Sequence, residues 1–258
     1  MADSLDLIRA KLGRAEELIR DLHNLPPKLP NGPFYGVMTE FDRESGLITF
    51  RATDVENFPP LYPLIIGEIA HHLRSTLDHI AFAISNPAPG QEQRVKFPLC
   101  SSRKEFKKRK GALIRPARGV ITRVERVQPY HRRKWPDTQL LGQLQAISNW
   151  DKHRTLAVAA FRAESAKVGL ARPRPLEIVA EEYFRGTIKN NKIIARFQVM
   201  PNVPDEIELH PYVEVVITPI FDKGGPKEVA GKNVIVTLEY TRTFILNEVL
   251  PLFEPFFQ

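Results

Sequence analysis

Four of the chain's seven histidines fall on two stretches of helical spacing, 64–85 and 138–161. The first stretch carries Glu68, His71, His72, Arg74, Ser75, Asp78 and His79. The second carries the run Asn149-Trp150-Asp151-Lys152-His153-Arg154. Imidazole titrates near neutrality, and a guanidinium holds planar anions, so such groups gathered on one surface can move a proton or grip a phosphate.

Helical geometry sorts the first stretch into two sides. Ile69, Leu73, Leu77, Ile80 and Ile84 form the apolar side. Glu68, His72, Ser75 and His79 fall within about 60° of one another as a polar stripe, with Arg74 at its edge. Three readings of this stripe stand side by side. It can be a solvated strip in which Arg74 and Asp78 form an i,i+4 ion pair. It can hold a metal, since Glu68-Ile69-Ala70-His71 has the Glu-x-x-His spacing of carboxylate-bridged bundles. No second copy of that motif occurs, and His72 and His79 stand about 10.5 Å apart along the axis, too far to share one ion. The third reading is proton transfer by His79 or His72, with an oriented carboxylate behind it.

The second stretch supplies a carboxylate for that third reading. Leu140, Leu144, Ile147 and Val158 mark its apolar side, and Asp151 points the same way, between Ile147 and Thr155. A buried carboxylate needs a partner, because desolvation of the unpaired charge costs several kcal/mol. Arg74, His72 and His79 are the candidates. The pairing is either structural or the orienting half of a catalytic pair. His153 lies about 160° from Asp151 and cannot serve the same centre.

Charge placement points to a partner. Residues 94–134 hold 15 Lys+Arg against 2 Asp+Glu, an excess of 13 positive charges in a chain whose net charge is +7. The remainder, with 22 Lys+Arg against 28 Asp+Glu, is acidic. The densest part is a basic loop with Arg103, Lys104, Lys107, Lys108, Arg109 and Lys110, and Arg154 adds a phosphate-binding edge on the second stretch. Such a field attracts nucleic acid, RNA foremost, or otherwise an acidic partner, unless the loop is merely solvated. Tyr130-His131-Arg132-Arg133-Lys134-Trp135 mixes aromatic and basic groups in the way that suits base stacking.

The string Leu73-Arg74-Ser75-Thr76-Leu77-Asp78-His79 resembles the signature of the HEPN superfamily, an Arg followed by a polar residue with a His four to six positions on. The resemblance covers at most residues 1–165. It implies a helical bundle that cleaves RNA without metal, with Arg74 steadying the phosphate and His79 in proton transfer. It also implies a homodimer whose two motifs face each other. A second set, Leu73-Arg74-Ser75 with Leu77-Asp78-His79, Gln128-Pro129-Tyr130 and Asn149-x-Asp151-Lys152-His153-Arg154, is similar to a widespread bacterial family of unknown function and implies no chemistry.

The elements that must position these groups are legible in outline. Leu5, Ile8, Leu12, Ala15, Leu18, Ile19 and Leu22 predict a first helix that Pro26-Pro27 ends. Tyr35, Val37, Thr39 and Phe41 alternate, Glu44-Ser45-Gly46 turns, and 47–52 returns, which predicts a hairpin. Val120, Ile121, Val124 and Val127 mark a short helix that stops at Pro129. Beyond the linker at Arg172-Pro173-Arg174-Pro175, strands are expected at 184–188, 192–199 and 212–218, with Pro219 at a strand end or sheet edge. A helix from about Thr237 then closes the sheet.

The expected class is α+β. Residues 1–170 form a helical bundle with an inserted β-hairpin, and residues 171–258 form a small antiparallel sheet closed by a helix. No stretch has the ~18–20 apolar residues that span a bilayer, and the first 24 residues lack the apolar core of a secretory signal. A lone Cys100 forms no internal disulfide, so the expected location is the cytoplasm, with no membrane partner. There is no glycine-rich phosphate loop and no Gly-x-Ser-x-Gly, so no cofactor is expected.

Overall fold

The structure, a computed structural model, describes residues 4–25, 28–29, 32–33, 35–55, 60–131, 133, 139–151, 158–171, 177–204 and 210–257. Its helices are α1 (Ser4–Asn24), α2 (Leu61–Ala83), α3 (Arg103–Arg109), α4 (Val120–Arg126), α5 (Gln139–Asp151) and α6 (Val234–Phe244). Its strands are β1 (Lys28–Leu29), β2 (Gly32–Pro33), β3 (Gly36–Asp42), β4 (Leu47–Thr53), β5 (Val158–Ala171), β6 (Ile178–Tyr183), β7 (Gly186–Thr187), β8 (Ile193–Val199) and β9 (His210–Phe221). The class is α+β. No described helix is long and apolar enough to cross a membrane.

The chain divides into two units, each made of separated pieces. The first joins Met1–Leu25, Pro60–Ala157 and Phe221–Gln258. Its centre is α2, whose Ile66, Ile69, Ala70, Leu73, Leu77 and Ile80 are all fully buried. Apolar residues here exceed one stripe because α1, α5 and α6 all pack against this helix. Pro63 sits in its first turn, where a missing N–H costs nothing. α3 buries only Phe106; Glu105 is half-buried, and Arg103, Lys104, Lys107, Lys108 and Arg109 are exposed. Ser102 caps it by accepting the Glu105 N–H at 3.2 Å, and Glu105 accepts the Ser101 N–H at 2.9 Å. α6 starts on the Asn233 cap, and its main chain continues as a π turn over Ile245–Val249.

The second unit joins Pro26–Pro59 and Val158–Ile220. A four-stranded antiparallel sheet runs in the order β3-β4-β8-β6, and a three-stranded sheet runs in the order β7-β5-β9. Phe50 of β4 stacks on Phe197 of β8 at 5.9 Å, both fully buried. Pro219 lies in β9, an edge strand, where its missing donor breaks no ladder.

Four expectations are corrected. The hairpin of β3 and β4 does not belong to the bundle: β4 pairs along its length with β8, because an isolated hairpin leaves an edge that only more strands can satisfy. A division at 170/171 therefore falls inside β5, and α6 joins the helices instead of closing the sheet. The helix expected over 138–161 ends its described course at Asp151, and 158–171 is strand. Pairing with β7 and β9 overrides the helical propensity of that alanine-rich run. Finally, the strand expected at 184–188 is reduced to Gly186–Thr187, which pairs with β5 where Gly186 takes φ +132°, and a strand at 178–183 that was not expected pairs with β8.

Candidate nucleic-acid interface

The basic segment is not a loop in its densest part. Arg103–Arg109 is helix α3, and the extended residues 95–100 precede it. α2 holds those residues by one backbone position. Asp78 Oδ1 accepts the Phe97 N–H at 2.9 Å, and Arg74 Nη2 donates to the Phe97 carbonyl at 2.7 Å. Arg74 and Asp78 bond each other at 2.9 Å, so the i,i+4 pair is a clamp that mimics a strand partner. Phe97 is 1% exposed and meets Phe253 edge-on at 6.0 Å. Gln128, fully buried on the turn after α4, grips the far end. It accepts the Cys100 N–H at 2.9 Å and donates to the Pro98 carbonyl at 2.8 Å and the Val124 carbonyl at 2.9 Å.

This clamped segment floors a cavity of about 730 Å³. Five cationic side chains line it, Arg74, Arg94, Lys96, Lys108 and Arg109, against one carboxylate, Asp78. Asp78 is already spent on Arg74 and Phe97. Arg109 pairs with Glu105 at 3.1 Å. The side chains of Arg94, Lys96 and Lys108 have no hydrogen-bond or carboxylate partner among the described residues. Arg103 pairs with Glu125 at 3.2 Å on the outer side, and Lys104, Lys107 and Lys110 are exposed. A concave surface with this excess of unpaired cation can hold an anion.

A second cavity, of about 790 Å³, adjoins the first and shares Leu99, Arg109, Gln145 and Asn149 with it. The seam is a hydrogen-bonded chain. Arg74 Nη1 donates to Gln145 Oε1 at 3.2 Å, and Gln145 Nε2 donates to Asn149 Oδ1 at 2.6 Å. The sequence reading missed Arg94, Lys96, Gln145 and Asn149 as site residues. The recurring amides Gln139, Gln143, Gln145 and Asn149 along one helix were the available signal.

Arg74, His79 and Asp151 do not meet in one crevice. Arg74 lines the first cavity. Asp151 is exposed, not core-facing, and sits over α2 at Gly67, where a Cβ would come within 2.7 Å of its Oδ1. It stands on the last described turn of the helix, so the periodicity that placed it among apolar neighbours does not apply. It shares a small cavity of about 260 Å³ with Glu68, His71 and His72. His79 lines none of these three cavities. No cluster of three metal-ligating side chains exists among the described residues. Lys152, His153 and Arg154 lie outside the described residues.

His72 and His79 are tuned toward neutrality. Burial, then Lys11, His71 and Arg14, holds His72 below the ordinary imidazole value, against an opposing pull from Glu68. His72 Nδ1 is buried without a hydrogen-bond partner among the described residues. Burial and Lys11 likewise lower His79, against Asp78. Burial pushes the Cys100 thiol up to about 11, so it is a poor nucleophile. The sign of the histidine shifts sets a stability trend. Below the ordinary value of 6.5 the unfolded chain binds more protons than the folded one, so stability falls as pH drops through and below 6.5. We expect the melting temperature to decline from about pH 7 to about pH 5, with a shallower slope in the His72→Gln/His79→Gln variant. Equal slopes in both proteins would contradict the neutral assignment.

Comparison with known proteins returns no matching family model, no matching curated protein and no matching solved structure, and the geometry of the two adjoining cavities therefore carries the functional reading.

Proposed function

We propose that this chain is an RNA-binding protein of the cytoplasm, and that the first cavity holds the backbone phosphates of the strand. One observation supports this most: Arg94, Lys96 and Lys108 converge on one concave surface with no carboxylate to neutralise them. Arg74, fixed by Asp78, Phe97 and Gln145, lines the same surface. Cations in such a place bind polyanion by displacing its condensed counterions. Binding, rather than cleavage, is the function assigned. Arg74 and His79 occupy different surroundings within one chain, so the cleavage implied by the HEPN resemblance would need a second copy to bring them together.

The test is a titration of labelled single-stranded RNA against salt. Each phosphate contact contributes about −0.7 to the slope of log affinity on log salt, so three to five contacts give a slope near −2 to −3.5. A flat response rejects the proposal. In the same tubes, with chelator present, the RNA is expected to stay full length. Fragments that appear with wild type and vanish in both Arg74→Ala and His79→Ala would replace the binding reading with the cleavage one.

A further inference from the structure

We infer that the second cavity takes one unpaired nucleobase of the bound strand, so that the chain selects single-stranded over duplex RNA. The inference rests on the reading of the first cavity as the phosphate site. Its volume, about 790 Å³, lies within the range of small-ligand pockets. What distinguishes it from its neighbour is its chemistry. The first cavity sets five cations against the single carboxylate of Asp78, while the second balances Arg109, Arg133 and Lys232 against Glu105 and Glu228 and adds the amides of Gln139, Gln143, Gln145 and Asn149. An amide offers a donor and an acceptor side by side, which matches the hydrogen-bonding edge of a base and not a phosphate, which only accepts.

Gln143 is the telling residue. It is 4% exposed, it lines the cavity, and its side-chain amide has no hydrogen-bond partner among the described residues. The residue is mostly buried, but its amide atoms reach the cavity, where water bonds them until a ligand with matching donors and acceptors takes its place. Asn149 accepts from Gln145 on Oδ1, which leaves its NH₂ group for a ligand at the seam between the two cavities. Tyr130 lines the same cavity, and its ring is held in place. Its hydroxyl donates to Glu125 at 3.0 Å, and its ring packs on His131 at 4.4 Å and tilts against Phe106 at 6.5 Å. A fixed aromatic ring beside amides is a stacking surface that loses little freedom when a base arrives. The shared residues Arg109, Gln145 and Asn149 put base and phosphate sites side by side, as one nucleotide unit requires.

The test compares three RNAs of equal length on the wild-type chain: a single strand, the same strand with abasic sites, and a duplex. The base-bearing strand is expected to bind about 10-fold more tightly than the abasic one, the scale of one stacked base. The duplex should resemble the abasic strand. In Ala146→Phe, which fills the cavity from α5, the base-bearing and abasic strands should bind equally. A nucleoside monophosphate should displace the strand only weakly. Three outcomes overturn the inference. If all three RNAs bind wild type equally and with strong salt dependence, the phosphate site stands and the base site falls. If no RNA binds, both fall. If the monophosphate displaces RNA at the affinity of the strand, the occupant is a free nucleotide.

Discussion

Replacing Arg94, Lys96 and Lys108 together by alanine is expected to weaken single-stranded RNA binding on the order of 100-fold at moderate salt, and to flatten the salt slope by about 2. These three cations line the cavity and lack carboxylate partners, so their whole charge is available to the ligand. The triple variant Lys104→Ala/Lys107→Ala/Lys110→Ala removes the same charge from the same segment but from side chains outside the cavity lining. It lowers only the diffuse field, which salt screens beyond about 10 Å, and should cost less than a tenth as much. Filter binding or fluorescence anisotropy at several salt concentrations separates the two. Equal losses from the two triples would mean that net charge attracts RNA and that the concave site has no part in it.

The second large effect is on stability. Gln128→Ala should lower the free energy of unfolding by about 3 kcal/mol, because the Cys100 N–H and the carbonyls of Pro98 and Val124 lose a partner in a fully buried place. In a chain of this size that corresponds to a drop of about 6–12 °C in melting temperature. Gln128→Glu keeps the acceptor and the shape but loses both N–H donors, and it places a charge where none is paired, so it should be at least as damaging. Urea unfolding followed by circular dichroism measures both. A change below about 0.5 kcal/mol in both variants would show that the 97–100 segment is held by the packing of Phe97 and by the Arg74–Asp78 clamp without Gln128. RNA affinity should fall with Gln128→Ala as well, since this segment carries Lys96 and Leu99 into the cavities.

These two sites illustrate what the residues alone disclosed. α1 and α4 were legible because each buries one face, and burial imposes a period of 3.6 on the apolar residues. α2 was legible from its long apolar run, and the hairpin from its alternation about the Glu44-Ser45-Gly46 turn, although β3 buries no residue and β4 buries residues on both faces. The Arg74–Asp78 pair was legible as a pair, but what it grips was not. Phe97 lies 19 residues beyond Asp78, and nothing local records that a backbone amide will land there. Asp151 was misplaced for a related reason. Its direction was inferred from a helix assumed to run on through Ala159 and Ala160, where the chain is in fact strand. Of the densest basic stretch only Lys108 and Arg109 line the first cavity, and Arg74, Arg94 and Lys96 join them from outside it, a convergence that charge counting along the chain does not record.

The interleaving of the two units has a consequence for how the protein is made. The sheet unit has been synthesised once Ile220 has been added, whereas the helical unit still lacks α6 and the buried Ile245, Val249 and Phe253. Synthesis therefore completes the later-starting unit first. Nascent helices must wait with the faces that α6 covers open to solvent, which makes residues 234–253 the last tooth of the zip and the translation of that stretch the step at which aggregation competes with folding.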